Sequence, residues 1–131
     1  MIKPHILLVD DEPDARELFA QHFRREIRKG DYAFDFAQSG HEALKVLQKA
    51  EKSHITLVLS DINMPGMTGI ELLEEIRQLW PTTPVFMITA YGDAVTEQKV
   101  RNKGASKFLT KPIDFNALRS HIASLVSGTC S

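Results

Sequence analysis

Five short apolar runs, near residues 5–10, 33–37, 55–60, 84–88 and 106–110, alternate with segments whose apolar residues recur every three or four positions. That alternation predicts repeated βα units and a parallel sheet covered by helices. After the first run, Ala15, Leu18, Phe19, Phe23 and Ile27 share one helical face, with Pro13 placed for the first turn and Gly30 placed to end a single helix. Ser39 with Glu42, and Thr68 with Glu71, have the spacing of capping boxes. The helices they open turn Ala43, Leu44 and Leu47, and then Ile70, Leu73 and Ile76, toward a core, and Pro81 ends the second. A fourth helix near 93–103 offers only Ala94, Val95 and Val100 as apolar residues, so its packing is expected to contribute less than its neighbours'. The fifth, with Asp114 as N-cap, carries Phe115, Leu118, Ile122 and Leu125 on one face.

Right-handed crossovers place such helices on both faces of an open sheet. The predicted fold is α/β: a doubly wound five-stranded parallel sheet of order 2-1-3-4-5, the flavodoxin-like (βα)5 arrangement. An eight-unit barrel does not fit into 131 residues. Ligands of such sheets bind beyond the carboxyl ends of strands 1 and 3, where the strand order reverses. The chain places acids there. Asp10 and Asp11 close the run His5-Ile6-Leu7-Leu8-Val9, and Asp61 closes Ile55-Thr56-Leu57-Val58-Leu59-Ser60. Carboxylates crowded at the mouths of buried strands repel unless a cation or protons neutralise them. Thr89 follows the fourth run and Lys111 the fifth, so four strand ends direct polar groups at one crevice. Singly, Asp11 reads as a helix N-cap, Thr89 as a turn residue and Lys111 as a solvated lysine; their joint placement points to chemistry. Oxygen donors without thiolates fit Mg2+ and a phosphoryl group better than zinc or copper.

Composition narrows the picture. A chain of 131 residues with 43% hydrophobic content supports one compact core. We expect one domain over residues 1–127 and a short C-terminal tail over 128–131. No apolar stretch approaches the roughly 20 residues that span a bilayer, and the start of the chain lacks a signal-peptide pattern, so a cytoplasmic location is expected. The single cysteine, Cys130, precludes an internal disulfide and fits a reducing compartment. The formal net charge of −1 gives no general reason to expect nucleic-acid binding, although residues 92–131 are net basic. Arg24, Arg25, Arg28 and Lys29 suit the C-terminal end of the first helix, where cations favour the helix dipole. The five histidines have no metal-ligand spacing.

The segments Ile6-Leu7-Leu8-Val9-Asp10-Asp11-Glu12, Ser60-Asp61-Ile62-Asn63-Met64-Pro65-Gly66-Met67-Thr68-Gly69, Ile88-Thr89-Ala90 and Leu109-Thr110-Lys111-Pro112 together resemble the receiver domain of bacterial two-component response regulators. The resemblance covers nearly the whole chain, with four motifs in the family's order. It implies that Asp61 accepts a phosphoryl group from a sensor histidine kinase or phosphotransfer protein. It also implies that Asp10, Asp11, Asp61 and the backbone carbonyl of Asn63 hold Mg2+, that Lys111 and Thr89 assist the transfer, and that the Lys111–Pro112 bond is cis. Thr89 and Phe108 are then the switch residues, and Ala90 and Tyr91 are the modulating positions, with Ala90 leaving an entry path and Tyr91 either hindering attacking water or joining the output surface. Phe108 stands where the family often has tyrosine, so its two positions must differ by packing alone. The output face comprises the fourth helix, fifth strand and fifth helix, and fits a downstream effector or a second copy. The domain is a signalling element, acting chemically only on itself.

Two other readings compete. A haloacid-dehalogenase-like phosphatase also uses an aspartate, Mg2+, a threonine and a lysine, but needs Asp-x-Asp after strand 1, where this chain has Asp10-Asp11-Glu12-Pro13. A flavin or nucleotide binder of the same topology needs a Gly-rich loop at that place, which here is anionic and glycine-free.

Overall fold

The computed structural model describes residues 4–49 and 55–128. His54 and Cys130 lie outside the described residues, as do residues 129–131 of the expected tail, whereas Gly128 belongs to the last helix. Five strands, β1 (His5–Val9), β2 (Ala33–Ala37), β3 (Ile55–Asp61), β4 (Val85–Thr89) and β5 (Lys107–Thr110), form one parallel sheet of order β2-β1-β3-β4-β5. This is the predicted topology. Six helices cover it: α1 (Pro13–His22), α2 (Arg24–Lys29), α3 (Gly40–Lys49), α4 (Gly69–Leu79), α5 (Ala94–Asn102) and α6 (Phe115–Gly128).

Strand alternation divides the core into two layers. Leu7, Val9, Val58, Val85 and Met87 face α3, α4 and α5, meeting Ala43, Leu47, Leu72, Leu73, Ile76 and Val100. Ile6, Leu8, Leu57, Leu59, Phe86 and Ile88 face the other side, toward Phe19, Phe23, Leu118 and Ile122. The apolar side chains of the central strands β1, β3 and β4 thus find an apolar layer on either face, which is why those strands read as apolar runs, while Asp61 and Thr89 bring polar groups to the strand ends.

The caps form largely as predicted. Thr68 and Glu71 make both bonds of a capping box, Glu42 N–H donates to Ser39 Oγ at 3.1 Å, and Asp114 Oδ1 accepts from Asn116 and Ala117. Trp80 caps α4 just before Pro81 and packs against the core. On α5 only Val100 is buried and Val95 is 79% exposed, as its sparse apolar content implied.

One expectation is corrected. The segment from Pro13 to Gly30 is two helices, interrupted at Phe23 (φ −107°, ψ 17°). The reason lies in packing. Phe23 is fully buried among Phe19, Tyr32, Phe34 and Phe115, with ring centroids 5.2 to 6.2 Å away, and holding its ring there competes with straight propagation of the helix. Gly30 closes α2 in the left-handed conformation (φ 78°).

Gly69 fixes how α4 meets β3. A Cβ at this position would collide with the Asp61 carbonyl oxygen and lie 2.7 Å from Ile62 Cα, while Gly69 N–H donates to Ile62 O at 2.8 Å. Both obstacles are backbone and cannot rotate away. Gly69→Ala is therefore expected to destabilise the protein by roughly 3 kcal/mol, the upper end for overpacking, read as a lowered urea midpoint with unchanged slope.

Candidate functional site

The carboxyl ends of four strands build the site. Asp61 is the last residue of β3 and 5% exposed; Asp10 and Asp11 follow β1; Thr89 ends β4 and is 1% exposed; Lys111 follows β5. Asp10, Asp11 and Asp61 each place a carboxylate oxygen within 4.8 Å of the others. Lys111 Nζ stands 3.2 Å from Asp61 Oδ2 and 3.6 Å from Asp10 Oδ2. The structure thus brings together the aspartates and lysine that the sequence placed at one crevice.

Backbone and side-chain donors hold these groups in place. Glu12 N–H donates to Asp10 Oδ1 at 2.9 Å, and Asn63 N–H donates to Asp61 Oδ1 at 3.2 Å. Thr89 Oγ1 accepts from Tyr91 N–H at 3.0 Å and, at the outer limit of 3.5 Å, from Asn63 Nδ2. Both bonds use the oxygen, so the Thr89 hydroxyl proton remains to be donated. Asn63 therefore ties Asp61 to Thr89 by its backbone and its amide together, a link that residue order did not reveal.

The remaining predicted residues surround the crevice. Ala90 is exposed, and Tyr91 keeps its ring 74% exposed while its backbone engages Thr89. Phe108 is half-buried in the layer facing α3, α4 and α5, and Gly92 approaches Thr110 and Phe108 so closely that a Cβ would meet both side chains. The Lys111–Pro112 bond is cis. Among the described residues, the three aspartates are the one group with metal-ligand geometry. His5 instead pairs with Asp35 at 2.9 Å, and His22 stacks on Phe115.

Electrostatics shows what the cluster lacks. Burial pushes the Asp10 carboxyl above the usual carboxylate range, and Asp61 and Glu12 push it further; the Glu12 N–H and Lys111 only partly oppose them. Burial alone would lower the Lys111 ammonium, yet Asp10 and Asp61 overcome it and hold its pKa above 10.5. Three carboxylates thus share one ammonium. The oxygen-only donor set with a deficit of positive charge fits a hard divalent cation.

A stability prediction follows from the sign of the Asp10 shift. A carboxyl whose folded pKa is raised costs stability when ionised, and the cost disappears as pH falls through the folded value toward 3.8. Asp10→Asn keeps an acceptor for Glu12 N–H and removes the charge. Without divalent cations it should stabilise the protein at pH 7 by about 1 kcal/mol, the usual size of a single-site effect, and the gain should shrink on acidification, as thermal melts will report.

Residues 6–123 match the sequence profile of the response regulator receiver domain. The chain belongs to that family. This receiver is 37% identical over 123 residues to the response regulator protein PilR of Pseudomonas aeruginosa, covering 94% of this chain and 26% of PilR. It is 39% identical over 114 residues to the sensor histidine kinase RcsC of Escherichia coli K12, covering 87% of this chain and 11% of RcsC. The receiver therefore spans about a quarter or less of these curated relatives. Its fold matches a Borrelia burgdorferi CheX–CheY complex with BeF3 and Mg2+ at a TM-score of 0.83, with 31% identity over 95% of this chain and 90% of that one. Its function is that of a receiver in two-component signal transduction, and the phosphatase alternative finds no support. Among the described residues no helix is long and apolar enough to cross a membrane.

Proposed function

We propose that Asp61 is the phosphoryl acceptor of this receiver. The observation that carries the reading is one buried carboxylate, at the end of β3, held by Lys111 Nζ on one oxygen and Asn63 N–H on the other. An Asp61 oxygen attacks phosphorus, the bond from phosphorus to the donor's imidazole nitrogen breaks, and that nitrogen keeps the electron pair. Lys111 neutralises charge on the incoming group, and the Thr89 hydroxyl donates a hydrogen bond to a phosphoryl oxygen. Asp10, Asp11, Asp61 and the backbone carbonyl of Asn63 would hold Mg2+, which when bound offsets the negative charge of the phosphoryl oxygens.

The donor in this reading is a sensor histidine kinase or phosphotransfer protein. A cavity of about 430 Å³ supports its approach: Leu18, Phe19, Ile113 and Phe115 supply apolar lining beside Asp10 and Lys111. Ala90 leaves the entry open, while Tyr91 is placed to hinder attacking water. Thr89 and Phe108 then act as the switch, coupling the crevice through the Gly92 loop to the face of α5, β5 and α6. That face meets an effector or a second receiver. Residues 1–127 form the working unit, acting in the cytoplasm.

The test is direct. Incubation with Mg2+ and acetyl phosphate should add the mass of one hydroxylamine-labile phosphoryl group, and omission of Mg2+ should prevent it. An unmodified protein under saturating donor would refute the assignment.

A further inference from the structure

A second charged feature lies outside this machinery. Beside the junction of α1 and α2 is a cavity of about 780 Å³ that shares no lining residue with the acidic cluster. Arg24, Arg25, Arg28 and Lys29 of α2 line it, with Glu26 and Arg119. Arg119 is already engaged: its Nε donates to Glu26 Oε2 at 3.1 Å, and its other nitrogens reach Asn116 Oδ1 and His22 O. The four α2 cations are different. All are exposed, and among the described residues none makes a side-chain hydrogen bond or ion pair.

A helix-end explanation covers only half of them. Arg28 and Lys29 stand in the last turn of α2, where cations are favoured, but the break at Phe23 puts Arg24 and Arg25 in its first turn. Along the helix, Arg24 with Arg28 and Arg25 with Lys29 are like-charged at the i,i+4 spacing and repel. Glu26, the one acid among them, is engaged by Arg119, so no side-chain ion pair among the described residues offsets that repulsion. Guanidinium groups present paired donors that match phosphate oxygens, and the cavity volume lies in the range of roughly 300–1,000 Å³ used by small ligands.

We propose that this cavity binds a soluble small molecule carrying two or more adjacent phosphates. Four unpaired cations match the charge of a di- or triphosphate and exceed that of a single phosphate. A long polyanion fits less well, because the cations are confined to one short helix and the rest of the chain is net acidic.

Calorimetric titration with inorganic triphosphate, in EDTA and near-physiological salt, tests the site without involving the divalent-cation cluster. We expect saturable one-to-one binding, tighter than that of orthophosphate by roughly tenfold or more. The exposed double variant Arg25→Gln/Arg28→Gln should weaken it by roughly tenfold with an unchanged circular dichroism spectrum, and Lys45→Gln on α3 should leave it intact. Absence of saturable binding, or equal loss in Lys45→Gln, would overturn the proposal. Retention on phosphatidylglycerol vesicles that triphosphate does not displace would overturn it in favour of a membrane surface.

Discussion

Asp61→Asn is expected to abolish the hydroxylamine-labile modification completely while leaving the fold intact. The amide keeps the shape of the carboxylate and an oxygen to accept Asn63 N–H, but an amide oxygen is too weak a nucleophile to take a phosphoryl group. Its effect on stability is the difference of two terms. The substitution removes the partner of Lys111 at 3.2 Å, and it also removes one of three carboxylates crowded within 4.8 Å. These terms oppose each other, so a thermal midpoint close to the wild type's is expected in the absence of divalent cations. Intact mass after incubation with Mg2+ and acetyl phosphate reads the first outcome, and circular dichroism the second. A phosphoryl group retained in Asp61→Asn would move the acceptor elsewhere, with Asp10 and Asp11 the first to examine.

How far these properties were legible in the sequence depends on how local their causes are. Strand existence and order followed from apolar runs and crossover rules, because residues buried on both faces leave a continuous apolar signature. The crieviced acids and Lys111 were legible because parallel strands deliver their carboxyl ends to one side, so position along the chain translates into position in space. The break at Phe23 was hidden. Phe23 obeys the helical spacing of its neighbours, and only the ring cluster brought from β2 and α6 competes with the helix there. The requirement for bare backbone at Gly69 comes from Asp61 and Ile62, eight and seven residues earlier, folded back against it, and so was not legible from spacing. The Asn63 amide link to Thr89 spans strands that the sequence separates by 26 positions. The basic cluster was visible as composition, and its assignment to a helix C-terminal end holds for Arg28 and Lys29 but not for Arg24 and Arg25, since it depended on a helix without a break.

Lys111→Met should separate the two jobs of the cluster. Methionine keeps much of the stem and removes the ammonium, so the rate of phosphoryl acceptance from acetyl phosphate should fall by roughly 100-fold or more, the scale for deleting one preorganised transition-state contact. Divalent-cation affinity should move the other way or hold steady, because the ammonium is the positive charge already occupying the space between Asp10 and Asp61. Stability should drop by roughly 2 kcal/mol at pH 7, between the values for exposed and buried ion pairs, since Lys111 is 29% exposed and Asp61 7%. The pH dependence has a definite sign. A lysine whose folded pKa is raised contributes its full stabilisation below 10.5 and loses it as pH climbs through the folded value, so the gap between wild type and Lys111→Met should persist from neutral pH to about 10 and close above it. Acid should narrow it as well, because the raised Asp10 carboxyl is protonated early and then has no charge to pair with Lys111. Loss of divalent-cation binding in parallel with phosphoryl acceptance would mean that Lys111 shapes the whole cluster, and would remove the case for its direct action on the phosphoryl group.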